Sequence, residues 1–154
     1  MNGRYAVNAI KQNSNTSSTL NYLYDNFYSR VNRNHKIDDT LVMKSIKNSY
    51  FELEVSDNNK LKINFFRDGQ IFDSYSLKTK LKDDGYLYVK NKNLKIWGVP
   101  FLLGYTDVQK MRLSLNSDNS LVAEFAEQSL GGFLVIIYPS WKTWNSEFTY
   151  ERVK

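Results

Sequence analysis

The sequence predicts a mainly-β fold: an antiparallel barrel of eight to ten strands with one early amphipathic helix, in a single domain over residues 1–154. Three observations predict it. Most of the chain alternates apolar and polar residues with period two, as strands with one wet and one buried face do. Short turns rich in Asp, Asn and Gly separate these runs and make consecutive strands antiparallel neighbours. Only one segment shows the 3.6-residue period of a helix. So many strands in one meander leave two sheet edges bare, and closure into a barrel removes them. A two-sheet sandwich is the alternative.

Taken in order, a first strand is expected near residues 4–9, followed by the polar loop Asn13-Ser14-Asn15-Thr16-Ser17-Ser18. The helix is expected over 19–31, where Leu20, Leu23, Tyr24, Phe27, Tyr28 and Val31 form one apolar stripe. Ser17, Ser18 or Thr19 can cap its start. A stripe of this kind is a core-docking face. Strands are then expected near 39–47, 50–56, 60–67, 70–80, 85–90 and 94–97, and again near 104–115, 120–127, 132–138 and 147–153. Their alternation is plain in Phe51, Leu53 and Val55 against Glu52 and Glu54, and in Leu61, Ile63 and Phe65 against Lys60, Lys62 and Asn64. Gly131-Gly132 before an apolar strand predicts a bulge or tight bend. The run Phe133–Tyr138 is apolar on both faces, so the helix or a partner has to cover its outer side.

Composition excludes several function classes. A chain of 154 residues, 42% apolar, buries roughly two-thirds of its unfolded surface and folds without staples. With 0 Cys there is no disulfide framework, zinc ribbon or thiol chemistry. A single His excludes a multi-histidine metal site and most catalytic triads. The net charge of +5 is too modest to imply nucleic acid by itself. No stretch reaches the ~18 apolar residues of a membrane span. No secretory signal opens the sequence, which fits a cytoplasmic protein or one whose export segment has been removed.

Few residues carry candidate chemistry. His35 lies in polar Asn34-His35-Lys36 with no nucleophile elbow in the sequence, and reads as a loop residue. Glu52 and Glu54 share a strand face and could do acid–base work, but Lys60 and Lys62 across a short turn make cross-strand charge pairing the simpler account. Gly131-Gly132-Phe133 lacks the Lys and Ser/Thr of a phosphate loop. Lys78, Lys80, Lys82, Lys90, Lys92 and Lys95 interleave with Tyr86 and Tyr88, a pattern that could bind single-stranded nucleic acid. Lysines that guard an exposed strand edge explain the same run, and Arg is missing from it. No motif calls for a cofactor, and no catalytic constellation is complete. Two segments remain, Trp97–Tyr105 and Tyr138–Trp144, both rich in aromatics and broken by Gly or Pro. Large amphipathic aromatics concentrate binding energy, so Trp97, Tyr105, Trp141 and Trp144 are the expected ligand- or partner-contacting residues. If they are core instead, all four are enclosed by protein.

The opening Asn2-Gly3-x-Tyr5 and Thr19-Leu20-x-x-Leu23 resemble small envelope lipoproteins of Bacteroidota. Lys82-Asp83-Asp84-Gly85-Tyr86, Gly98-Val99-Pro100-Phe101, Lys110-x-Arg112-Leu113-x-Leu115 and Gly131-Gly132-Phe133-Leu134 are similar to the same family. The resemblance implies a lipocalin-like, calycin-type barrel tethered to the periplasmic or outer-membrane side of the envelope through a lipidated Cys ahead of Asn2. It implies no activity and no residue roles. The expected function is therefore a non-enzymatic binding module for a small apolar ligand or acyl chain, monomeric when isolated. An interaction subunit docking on a larger envelope assembly is the alternative.

Overall fold

The computed structural model describes residues 1–14, 26–32, 48–56, 59–90, 95–97, 103–133 and 146–154, with the backbone alone at 14, 95–97, 103–109 and 127–133. The elements are β1 (Gly3–Ala6), β2 (Lys11–Ser14), the helix α1 (Phe27–Val31), β3 (Ser49–Ser56), β4 (Lys60–Arg67) and β5 (Gln70–Leu81). They continue with β6 (Leu87–Lys90), β7 (Lys95–Trp97), β8 (Leu103–Leu115), β9 (Leu121–Phe133), β10 (Ser146–Tyr150) and β11 (Arg152–Val153). All strands join one antiparallel sheet in the order β11-β1-β3-β4-β5-β6-β8-β9-β10-β2, with β7 on the side of β8. Its two end strands, β11 and β2, are not paired with each other, so strand by strand the path stays open. The fold is mainly β, as expected, with little helix among the described residues.

The hairpins follow from local chemistry. Asn59, Asp68 and Asn119 take positive φ of 53°, 50° and 65°, and Gly69 and Gly85 follow at 78° and 80°, all in the turns where such residues were expected. In the β8–β9 turn the Asp118 carboxylate accepts from the Ser120 hydroxyl at 2.6 Å and its N–H at 2.9 Å. These bonds hold the Asp118 carboxyl below its ordinary value of 3.8. A carboxyl lowered in the folded state contributes stability above its unfolded value and loses it as pH falls through the folded one. Stability is thus expected to drop on acidification below 3.8, and Asp118→Asn to flatten that part of a urea-midpoint titration.

The core forms where the alternating apolar sets meet. Phe51, Leu61, Ile63, Phe65, Leu113 and Phe125 are fully buried, together with Tyr5, Phe148 and Tyr150 from the chain ends. α1 adds Phe27 and Val31 to this cluster, as the stripe predicted. The helix itself is shorter than a single element over 19–31. Asn26 is extended (φ −90°, ψ 122°), and its Oδ1 accepts from the N–H groups of Tyr28 at 2.9 Å and Ser29 at 3.4 Å. That is an N-cap, so a helix begins afresh at Phe27. The Phe27 N–H donates to the Val7 carbonyl at 2.9 Å, tying this start to the first strand segment. Asn26→Ala is expected to cost about 1 kcal/mol in urea unfolding. Ser17, Ser18, Thr19, Leu20, Leu23 and Tyr24 lie outside the described residues, as do the strand expected at 39–47, the stretch 134–138 and His35.

Other expectations need correction. Asn13 and Ser14 belong to β2, paired with Glu147 and Ser146, rather than to a loop. Polar residues suffice there because strand hydrogen bonds use the backbone. Gly131 and Gly132 make no bulge, since β9 runs through them in unbroken register with β8. The irregularity falls instead between Phe65 and Phe66, where Phe65 pairs Asp73 but Phe66 pairs Ile71. The strand expected at 147–153 divides at Glu151.

Candidate functional site

β7 and β8 form a hairpin that sets Lys95 opposite Asp107, Ile96 opposite Thr106 and Trp97 opposite Tyr105. On its other side Tyr105 faces Gly131 of β9, and Gly104 faces Gly132. Two of the four expected aromatics therefore occupy directly paired positions, next to a residue without a side chain. β5 and β8 run in the same direction, because both pair antiparallel with β6. The Trp97–Tyr105 pair thus lies toward the end of the sheet where β5 and β8 begin and β9 ends. Trp141 and Trp144 fall outside the described residues.

No known protein family, curated protein or solved structure matches the chain. The reading therefore rests on the residues themselves.

A second cluster occupies the start of β5. Asp73 Oδ2 accepts from the hydroxyls of Tyr28 at 3.0 Å and Tyr75 at 2.8 Å, and Oδ1 accepts from the Ser74 N–H at 2.8 Å. The Tyr28 hydroxyl in turn accepts from Asn32 Nδ2 at 2.8 Å. Burial, reinforced by the Asp73 carboxylate, pushes the Tyr75 phenol far up and the Tyr28 phenol up, so both remain protonated donors. The strand irregularity frees Phe72, which is 38% exposed, packs edge-on against Tyr28 at 5.2 Å and carries the Arg67 guanidinium over its ring at 4.7 Å. Sequence reading missed this cluster. The available signal was an Asp in the same alternating set as Tyr75 and Leu77, the set that faces the core. The network also holds α1 against β5, and that structural role accounts for every bond in it.

The charged candidates rearrange. Glu54 does face Lys62, but Lys60 faces Ser56 and Glu52 faces Asn64. Glu52 pairs instead with Arg4 of β1, Oε1 to Nε at 3.4 Å, because β3 has a second neighbour that a hairpin reading leaves out. The edge-guarding account also fails for Lys78, Lys80 and Lys90, since β5 lies between β4 and β6, and β6 between β5 and β8. Arg112 of β8 and Glu124 of β9 form the closest ion pair described, Nη2 to Oε2 at 2.6 Å. Among the described residues no group of His, Cys, Asp and Glu could hold a metal ion, and no helix is long and apolar enough to cross a membrane.

Proposed function

We propose that the chain is a non-enzymatic binding module of the cell envelope, built on a lipocalin-like ring of strands. Trp97, Tyr105, Trp141 and Trp144 rim its ligand-contacting end, and the ligand is a small apolar molecule or an acyl chain. The direct pairing of Trp97 with Tyr105 at one end of the sheet is the observation that carries this reading. Ring closure is supported by the chain ends. Only Glu151 separates β10 from β11, its carbonyl accepts the Ala6 N–H at 2.8 Å, and the Thr149 carbonyl accepts the Ile10 N–H at 2.8 Å. The ring we infer has eight members, with β1–β2 and β10–β11 each counted as one chain segment beside β3, β4, β5, β6, β8 and β9; the pairing of β1 with β11 and of β2 with β10 supports it. Closure of that kind leaves no bare edge. The envelope location rests on the resemblance alone.

The described interior is filled by aromatic and aliphatic side chains, so the ligand's place is the rim rather than the packed half. Tryptophan fluorescence on titration with a fatty acid tests this: the emission shifts in the parent chain, and Trp144→Ala abolishes the shift. No shift in the parent chain contradicts it. The packed interior equally favours the second reading, a scaffold that docks on a larger envelope assembly. In that case fatty acid leaves the emission unchanged and the same rim is protected only in the assembly.

A further inference from the structure

We propose that the outer face of β4, β5 and β6 docks on an anionic bilayer, with lipid phosphates as the groups it meets. The strand register sets Lys60 opposite Lys78 and Lys78 opposite Lys90, so three lysines stand abreast on three adjacent strands. Lys62 and Lys80 belong to the same alternating sets. All five are exposed, and none of their ammonium groups forms an ion pair or hydrogen bond among the described residues. Glu54 faces Lys62 from β3, which leaves the Lys60–Lys78–Lys90 row as the positive centre. Neighbouring strands are about 4.8 Å apart, so the row extends about 10 Å across the sheet.

Like charges placed directly opposite one another destabilise a sheet. Here two such pairs adjoin, on interior strands that need no protection against edge pairing. A local rule broken without structural compensation marks a functional surface. A bilayer suits this one better than single-stranded nucleic acid. The nearby rings are already engaged: the Lys82 ammonium sits 3.8 Å over Tyr88, whose hydroxyl bonds Asp84 at 2.7 Å, and the Arg112 guanidinium sits 4.0 Å over Tyr86. Neither of these two rings is left free for a base to stack on. A plane of headgroups asks only for clustered positive charge near its surface, each lysine being worth about a fivefold gain in partitioning. This surface is separate from the Trp97–Tyr105 rim and stands or falls without it.

Vesicle co-sedimentation tests the proposal, using phosphatidylcholine vesicles with and without phosphatidylglycerol. The parent chain is expected to sediment with the phosphatidylglycerol vesicles alone and to be released by salt as screening shortens the range of the attraction. The double variant Lys78→Glu/Lys90→Glu is expected to bind at least about tenfold more weakly, while Lys11→Glu, at an exposed position of β2, binds as the parent does. The single variant Lys78→Glu turns both repulsive pairs into attractive ones, so it is expected to bind more weakly yet melt at a higher temperature, which separates lost binding from lost folding. Absence of sedimentation, equal binding to phosphatidylcholine alone, or undiminished binding by the folded double variant overturns the proposal. Tighter binding to a single-stranded oligonucleotide than to the vesicles also overturns it and assigns the face to nucleic acid.

Discussion

Phe27→Ala is expected to lower the unfolding free energy by about 3–5 kcal/mol, the range for deleting a buried aromatic ring. Phe27 is 0% exposed, and its ring lies on Phe51 at 4.1 Å and 14° between planes, with Tyr150 edge-on at 5.1 Å. Those two partners come from distant parts of the chain, so the ring joins the helix to the β3 hairpin and to β10. α1 has five residues and no independent stability, so it is fixed by this contact and by the Asn26 cap. Urea unfolding should show a lower midpoint with an unchanged slope. A loss below about 1 kcal/mol would mean that the helix face is not part of the core.

Arg112→Met is expected to cost about 2–4 kcal/mol, because it strands the Glu124 carboxylate without its cation. Glu124 is 7% exposed and Arg112 Nη2 approaches it to 2.6 Å. The guanidinium also covers the Tyr86 ring, and the Arg112 side chain keeps 18% of its exposure, so water can reach the pair and hold the cost below that of a fully enclosed one. Removing both charges should hurt less than removing one. In a double-mutant cycle Arg112→Met/Glu124→Leu is expected to be more stable than Arg112→Met. A double variant as unstable as the sum of its singles would show the pair to be independent.

Much of the strand content was legible because its signals are local. The alternation over 50–56, 60–67 and 70–80 and the turn residues Asn59, Asp68-Gly69, Gly85 and Asn119 locate hairpins with no knowledge of what lies beside them. Wherever a second neighbour decides, the same reading fails. Glu52 finds Arg4, and Lys78 finds a lysine on each side, because β1 and β6 approach from elsewhere in the chain. Asn26 looks like one more polar position of a long helix until Asn8 and Val7 draw it into an extended cap. Of the expected rim, the pairing of Trp97 with Tyr105 was not legible, because Gly98 and Pro100 in the sequence marked only a break in the strand. The Asp73 network joins residues 45 positions apart, a separation that periodicity does not bridge.

The central claim is that binding concentrates at the Trp97–Tyr105 end while the packed half of the sheet serves as scaffold. Its most direct test is an NMR titration of the isotope-labelled chain with a soluble fatty acid. The account predicts shifts in the indole N–H of Trp97 and the backbone amides of Tyr105 and Gly131, with the amides of Leu113, Leu121 and Phe51 unmoved. Shifts confined to those core amides, or no shift at saturating fatty acid, would contradict it.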